Sequence, residues 1–217
     1  MQPYIAWASA NGLNYLGAMG WTAVIALLAA LGAIAWGCVL LFARLTTGRW
    51  GIRVVDAYVQ LFRNTPVLLP IYLIYFGLPL VGPTWPASVC GGLALVLQNG
   101  AYISEIFRGS FNAIDRVQYD AAKSIGLSRW DTFRKVTLPQ VLVYSIPPLA
   151  SQIVLLLKDT SLLSAITVVE LTMQAELLTE RTGAAYAPFL VSAALYLVLV
   201  SLTEMLFRTA RRAVRWR

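Results

Sequence analysis

The sequence predicts an all-α membrane protein whose chain crosses the bilayer five times and forms one domain over residues 1–217. Of its 217 residues, 59% are hydrophobic and only 12% are charged, whereas soluble domains carry about 25% charged residues. The apolar residues also gather in stretches close to the roughly 20 residues that a helix needs to cross the hydrocarbon core. We therefore expect a polytopic membrane domain.

Five apolar stretches are the expected spans. They cover about residues 19–43, 65–81, 86–107, 138–157 and 188–207. The first stretch is continuously apolar. The second reaches spanning length only if the amphipathic stretch 52–62 leads into it. The third qualifies as well, although it carries Gln98, Asn99 and Glu105 among its apolar residues.

The distribution of Lys and Arg predicts the orientation. Fifteen of the seventeen basic residues flank span ends that would share one face, and only Lys158 and Arg181 fall on the other. The positive-inside rule then places the N-terminus outside and the C-terminus in the cytoplasm. We expect the basic tail to contact anionic lipid rather than nucleic acid. Its basic residues are Arg208, Arg211, Arg212, Arg215 and Arg217.

Several kinds of chemistry are excluded by composition. The chain has no histidine, so catalysis or metal binding through imidazole is impossible. Cys38 and Cys90 both lie in apolar stretches and form no C-x-x-C pair, which favours packing roles. A phosphate-binding G-x-x-x-x-G-K-[ST] loop is also missing from the sequence. We therefore expect no catalytic residue, metal ligand or cofactor site in this chain.

Residues 115–135 form a polar, glycine-containing segment between the third and fourth spans, on the predicted cytoplasmic side. Asp115 followed by Gln118 fits an N-cap with its partner three residues later. Gly126 fits the left-handed residue that ends a helix. These signals predict a short helix over residues 116–125.

The remaining residues of the segment predict a second helix and a surface. Ser128 with Asp131 is a second capping box, so a helix should start there and run into the next span. Val117, Ala121 and Ile125 are four residues apart and give the first helix a narrow apolar face with Ala122 beside it. Such a face fits a partner groove, and it also fits a helix lying on lipid headgroups.

The segment resembles the EAA loop of the permease subunits of ATP-binding-cassette (ABC) importers, in their polar amino-acid branch. That loop reads EAA, three residues, Gly, nine residues and I-x-LP. Here the corresponding residues are Asp120-Ala121-Ala122, Gly126 and Val136–Pro139. Asp replaces the usual Glu and Val the usual Ile, so charge and shape are kept. The usual Gly before Gln118 is Val117, a mild departure.

Three further stretches resemble the same branch and follow in the expected order. They are "YVQLFRNTP" at 58–66, "AYISEIFRG" at 101–109, and "KDTSL" at 158–162 followed by Glu170-Leu171. The resemblance therefore covers about residues 57–171. It implies the type I ABC importer transmembrane fold, in the bacterial cytoplasmic (inner) membrane.

The resemblance also implies the partners and the division of labour. A second permease subunit, identical or paralogous, would complete the pathway, and an extracytoplasmic solute-binding protein would deliver the amino acid. Two ABC ATPase subunits would bind ATP and magnesium, so this chain would be a transport subunit and not an enzyme. In that family the EAA loop is the coupling helix. The residues expected to contact the ATPase are Asp120, Ala121, Ala122, Lys123, Gly126 and Arg129.

Polar residues at membrane depth are the candidates for the substrate pathway. Gln98 and Asn99 could join helices or contact substrate, and both possibilities stay open. Lys158 and Asp159 could pair with each other or present two charges to a zwitterion. The resemblance favours pathway roles for Gln152, Lys158 and Asp159, with an acidic or neutral polar amino acid as substrate.

Other polar residues have structural interpretations. Glu105 and Arg108 are three residues apart and are expected to pair near the cytoplasmic end of their helix. Glu204, in the last span, is expected to serve packing or a partner contact. Two other classes of protein stay possible. A secondary transporter or channel would be favoured by inverted repeats, which are not visible, and a membrane scaffold would have no use for the glycine-hinged loop.

Overall fold

The computed structural model describes residues 2–184 and 186–213, and side chains for residues 11–184 and 186–212. Every regular element in these residues is helical, which confirms the all-α prediction. The α-helices are α1 (Gln2–Thr46), α2 (Arg49–Arg63), α3 (Leu68–Val81), α4 (Ala87–Asn112), α5 (Arg116–Ser124), α6 (Arg129–Thr132), α7 (Leu138–Asp159), α8 (Leu171–Thr182) and α9 (Ala187–Ala213). Two tail residues of the predicted basic cluster, Arg215 and Arg217, lie outside the described residues.

Three stretches of the described residues are long and apolar enough to cross a membrane on their own. They are Asn11–Thr46, Arg129–Ile166 and Ala187–Arg212, and they contain the first, fourth and fifth predicted spans. Each is longer than predicted, because the helix continues beyond the apolar core into polar flanking residues. The predicted span boundaries therefore describe the apolar parts of longer helices.

The second predicted span is broken. Helices α2 and α3 meet at an angle of 104°. The amphipathic stretch 52–62 therefore leads into α3 through a sharp bend, which the sequence did not predict. The break lies beside Pro66, which has no N–H for the helix and disfavours a helical conformation at Thr65. Helix α3, with 14 residues, covers most of the predicted span 65–81 by itself. The pair counts as a fourth span only if both halves are taken together.

Helix α4 contains the third predicted span and forms the centre of the molecule. It packs against α1, α2, α3 and α7, and its polar residues Gln98 and Asn99 are buried. Because neighbouring helices surround it, α4 does not need an apolar surface throughout, and its apolarity alone does not mark it as a span. The count of five spans remains a prediction.

Small residues bring α1 and α4 together. A Cβ atom added at Gly37 would lie 2.8 Å from Cγ2 of Ile103, and one at Gly100 would lie 2.5 Å from Cδ1 of Trp36. Contacts this short leave no room for a side chain at either glycine. The two backbones therefore approach closely, as is usual for helices packed inside a membrane.

The segment between α7 and α9 is folded, although the sequence analysis assigned it no structure. A 3-10 segment, Thr160–Ile166, follows α7 and leads to α8. The buried Glu170 carboxylate caps α8 by accepting hydrogen bonds from the backbone N–H groups of Thr172 and Met173, and it also accepts one from the Tyr196 hydroxyl. This capping anchors α8 to α9 from inside the protein.

Candidate functional site

The first half of the segment 115–135 has the predicted structure. Helix α5 begins after Asp115, whose carboxylate accepts a hydrogen bond of 3.0 Å from the backbone N–H of Val117. The N-cap at Asp115 is therefore confirmed. The backbone N–H of Gln118 donates to the Asp115 carbonyl at 3.0 Å, whereas a capping bond from the Gln118 side chain is not among the hydrogen bonds of the described residues.

The end of α5 confirms the predicted role of Gly126. Its φ angle is +78°, and the N–H groups of Gly126 and Leu127 donate to the carbonyls of Lys123 and Ala122, each at 3.0 Å. This pair of hydrogen bonds is a Schellman motif, which reverses the chain after a helix. No atom lies within 4 Å of the place that a Cβ would occupy. Backbone conformation alone therefore requires glycine here.

The second capping box is confirmed as well. The Ser128 hydroxyl accepts from the backbone N–H of Asp131 at 3.0 Å and donates to its carboxylate at 2.7 Å. Lys135 forms an ion pair of 2.8 Å with the same carboxylate. The contact with Lys135 and, to a smaller extent, the hydrogen bond from Ser128 hold the pKa of Asp131 below its usual value. The helix continues into α7 through a π-helical turn, Phe133–Thr137, which the sequence did not predict.

The apolar face of α5 is exposed. Val117 is 67% and Ile125 76% exposed, and Ala121 between them is also exposed, whereas Ala122 is buried against the rest of the chain. We call the surface formed by Val117, Ala121 and Ile125 the α5 patch. Five of the six predicted contact residues are exposed around this patch, namely Asp120, Ala121, Lys123, Gly126 and Arg129. Ala122, the sixth, is buried.

Aromatic rings connect this segment to α4. The rings of Phe111, at the end of α4, and Phe133 are stacked with centroids 6.5 Å apart, and Trp130 stacks on Phe133 at 5.7 Å. The hydroxyl groups of Ser110 and Ser145 also share a hydrogen bond of 2.9 Å, which joins α4 to α7. Trp130 of α6 is thus connected through Phe133 to the end of α4, and the serine pair separately joins α4 to α7. Sequence reasoning missed these contacts, because the partners are distant in the chain.

Asn99 and Gln152 come together in the interior. The Gln152 amide donates to the Asn99 side-chain oxygen at 2.8 Å, and the Asn99 amide donates to the Leu95 carbonyl at 3.0 Å. Asn99 is 1% exposed, and Gln152 is half-buried. Two predicted pathway residues therefore form one polar junction between α4 and α7.

Gln98 lies in a different environment, beside the bend between α2 and α3. Its amide donates to the Thr65 carbonyl at 2.8 Å, while its side-chain oxygen is buried and has no hydrogen-bond partner among the described residues. Tyr58 and Tyr102 donate to the carbonyls of Leu97 and Arg63 at 2.8 and 3.0 Å. Gln98 is thus part of the contacts that hold the bend on α4.

Lys158 and Asp159 do not pair with each other. Within the described part of the chain neither residue forms an ion pair. They do not meet each other because adjacent residues point about 100° apart on a helix. Asp159 is half-buried, seven residues from Gln152 and therefore on its side of α7. Lys158 lines a groove of about 510 Å³ between α7 and α9, together with Glu204 and Arg208. The alternative of a structural Lys158–Asp159 pair is therefore wrong.

Glu105 and Arg108 form the predicted pair within a larger cluster. Arg108 Nη2 lies 2.5 Å and Arg44 Nη1 2.7 Å from the Glu105 carboxylate. Arg63 lies farther away, at 3.8 Å, and Arg44 also pairs with Asp56. We call these five residues the Glu105 cluster. The sequence revealed only the pair within one helix, since the other members come from α1 and α2.

Comparison with known proteins identifies the family. Residues 33–216 match the family model described as binding-protein-dependent transport system inner membrane component. The chain belongs to this family. The match covers the helices of both the segment 115–135 and the Asn99–Gln152 junction.

Individual relatives agree with this membership. The chain is 32% identical over 198 residues to the glutamine transport system permease protein GlnP of Escherichia coli (strain K12), covering 88% of each protein. It is 34% identical over 196 residues to the octopine transport system permease protein OccM of Rhizobium radiobacter, covering 84% of this chain and 80% of that one.

Solved structures agree in fold. A crystal structure of an amino acid ABC transporter with histidines matches with a TM-score of 0.90 and 26% identity, covering 97% of this chain and 98% of that one. The inward-facing MetNI methionine ABC transporter matches in fold with a TM-score of 0.75 at 19% identity, over 93% and 96% of the two chains. The chain is therefore a multi-pass inner-membrane permease subunit of an ABC importer, with the type I fold.

Proposed function

We propose that this permease subunit conducts an amino acid across the membrane and is driven through α5 by a cytosolic ATPase. The observation that carries the proposal is the α5 patch. Val117, Ala121 and Ile125 form an exposed apolar surface on a helix fixed by caps at both ends. A rigid helix with an uncovered apolar face is suited to a groove on another protein.

The charges around the α5 patch support a specific contact. Asp120, Lys123 and Arg129 are exposed beside it and can form ion pairs at the rim of an apolar contact, where charged groups favour the correct partner. The stack of Trp130, Phe133 and Phe111 connects α6, the helix that follows α5, to the end of α4. ATP and magnesium would be bound by the ATPase subunits, and this chain would carry out no covalent chemistry.

In this proposal the chain crosses the membrane five times, with residues 1–217 as one permease domain. The N-terminus lies outside, and the C-terminus and residues 115–135 lie in the cytoplasm. The distribution of basic residues supports this orientation. Five helices barely enclose a pathway. A second permease subunit, identical or paralogous, would therefore complete it. A solute-binding protein on the outer side would deliver the amino acid to a pathway that opens alternately to each side.

The proposed pathway uses the polar side of α7. Gln152 and Asp159 share one side of this helix, Asn99 faces Gln152 from α4, and Lys158 lines the neighbouring groove. The names of two relatives, the glutamine and octopine permeases, support an amino acid or amino-acid derivative as substrate. The neutral amide of Gln152 favours an acidic or neutral polar amino acid over arginine or lysine.

The proposal is tested with the transporter assembled from this chain, its ATPase and its binding protein. We expect the ATPase to co-purify with the wild-type chain, and labelled glutamine or glutamate to enter proteoliposomes supplied with ATP. Arginine as the sole substrate would contradict the proposed substrate class. Failure of the ATPase to co-purify would contradict the coupling role of α5.

A further inference from the structure

Helix α2 has the geometry of a helix that lies along a membrane surface. It meets α3 at 104°, so if the apolar α3 enters the bilayer, α2 runs close to the membrane plane. Trp50, Val54 and Leu61 share one side of α2 and are exposed, whereas Val55 and Val59 on another side are buried against the protein. The exposed apolar side would lie among lipids at the depth of the headgroups.

An aromatic and cationic pair reinforces this placement. The guanidinium of Arg53 lies 4.9 Å from the ring centroid of Trp50. A tryptophan ring with an arginine above it is suited to the interface, where one side of the ring is apolar and the other polar. On α1, the neighbouring residues Val39, Phe42 and Leu45 are also exposed. The end of α1 therefore carries exposed apolar side chains of its own.

At this depth the Glu105 cluster lines a groove of about 450 Å³. Three guanidinium groups, of Arg44, Arg63 and Arg108, face only two carboxylates, of Asp56 and Glu105, so the groove has one excess positive charge. Arg44 is used fully inside the cluster, with contacts to both carboxylates and a side chain only 17% exposed. The excess positive charge is therefore carried by Arg63 and Arg108, which we call the two outer arginines.

The two outer arginines have hydrogen-bond donors left for a ligand. The side chains of Arg63 and Arg108 are 43% and 46% exposed. Arg63 is 3.8 Å from the Glu105 carboxylate, too far for a hydrogen bond, and its guanidinium lies 5.5 Å from the ring centroid of Tyr102. Tyr102 thus holds in place a guanidinium whose N–H groups are open to solvent. Guanidinium groups bind phosphate oxygens with two parallel hydrogen bonds.

We propose that this groove binds the phosphate of an anionic phospholipid headgroup, with Arg63 and Arg108 as its direct ligands. The apolar side of α2 sets the groove at headgroup depth, and the excess positive charge selects anionic over zwitterionic lipid. The bound lipid would then fix the bend between α2 and α3 against the ends of α1 and α4. This inference requires only that the chain lies in a bilayer, and it is independent of the transported substrate.

The test measures lipid binding to the purified, assembled transporter in a non-ionic detergent. Phosphatidylglycerol and phosphatidylcholine, each with a fluorescent acyl chain, are titrated while fluorescence anisotropy is recorded. The variants are Arg63→Gln, Arg108→Gln and the double variant. Arg181→Gln on α8 is the matched control, because Arg181 is exposed and is not among the residues that line the groove, and the variant removes the same charge. Since Arg108→Gln also removes a partner of Glu105, Arg63→Gln decides the test if the double variant fails to assemble.

We expect phosphatidylglycerol to bind more tightly than phosphatidylcholine. Each groove variant should weaken phosphatidylglycerol binding about fivefold, and Arg181→Gln should leave it unchanged. Equal affinity in all variants, or equal affinity for both lipids, overturns the proposal. Displacement of the labelled lipid by inorganic phosphate would mean that the groove holds small anions, and it also overturns the proposal. Unchanged lipid affinity with loss of the ATPase or of a second permease copy would identify the groove as a protein contact instead.

Discussion

The side-chain amide of Gln152 donates a hydrogen bond to the side-chain oxygen of Asn99 at 2.8 Å, and this contact joins α7 to α4. Asn99 is almost fully buried, so a missing partner would leave a polar group without a hydrogen bond in an apolar interior. Such groups lower stability whenever they are not paired. The contact is therefore expected to hold the two helices in one register.

The first prediction is that Asn99→Leu and Gln152→Leu are coupled. Each single variant should lower the free energy of unfolding in detergent, and the double-mutant cycle should give about 0.6–1.7 kcal/mol of coupling. The matched control combines Asn99→Leu with Gln140→Leu, since the one hydrogen bond of the Gln140 amide among the described residues is to the Val136 carbonyl in the π-helical turn just before α7. That control pair should be additive, and an additive Asn99–Gln152 pair would count against the junction.

The second prediction concerns Gly126. Because its φ angle is +78°, Gly126→Ala should cost about 1–2 kcal/mol in the local conformation, although a Cβ would meet no other atom there. Binding-protein-stimulated ATP hydrolysis should fall, because α5 and α6 are re-aimed. Gly109→Ala is the control: it also meets no atom but lies inside α4, where alanine is favoured over glycine. Equal activities of the two variants would refute this role for Gly126.

The third prediction concerns the charge beside the α5 patch. Asp120→Lys should reduce ATPase co-purification and uptake, since it places a cation where the resemblance expects an anion. The defect should become smaller as ionic strength rises, because salt screens the interaction between exposed charges. Asp120→Glu restores the usual residue of the EAA loop and should behave as wild type. If α5 lay on anionic headgroups instead, Asp120→Lys would bind the membrane better and leave ATPase association intact.

The fourth prediction compares Glu105 and Glu204, each of which is followed by an arginine three or four residues later with which it pairs. Glu105→Gln removes the carboxylate between Arg44 and Arg108, where its side chain is 16% exposed, and should cost roughly 3 kcal/mol of stability. Glu204→Gln removes an exposed pair with Arg208 and should cost at most about 0.5 kcal/mol. Thermal unfolding of the two purified variants in detergent measures both effects. Similar melting temperatures would show that the Glu105 cluster contributes little.

How much could be predicted from sequence depended on how local each interaction is. The caps at Asp115 and Ser128 and the turn at Gly126 involve residues within five positions of each other, so their sequence signals were sufficient. The Glu105–Arg108 pair was found for the same reason. In contrast, the sequence pattern placed Ala122 beside the apolar face of α5 but did not indicate that it would be buried.

Long-range packing explains what the sequence did not predict. Arg44 and Arg63 approach Glu105, and Asp56 joins the cluster through Arg44, only because α1 and α2 pack on α4. The bend beside Pro66 is stabilised by Gln98, which donates to the carbonyl of Thr65, 33 positions away in the chain. The Lys158–Asp159 alternative failed for a simpler reason, because neighbouring residues on a helix point in different directions. Apolarity also could not count the spans, since a helix surrounded by others can carry buried polar residues.

The central claim is that ATP hydrolysis by a partner, transmitted through the α5 patch, drives amino-acid uptake through this chain. The most direct measurement is uptake of labelled glutamine and glutamate into proteoliposomes containing the chain, its ATPase and its binding protein. We predict uptake that requires ATP and the binding protein, persists without an ion gradient, and is reduced in Asp120→Lys while the second permease subunit stays bound. Uptake driven by a proton or sodium gradient without ATP or the ATPase would contradict the account.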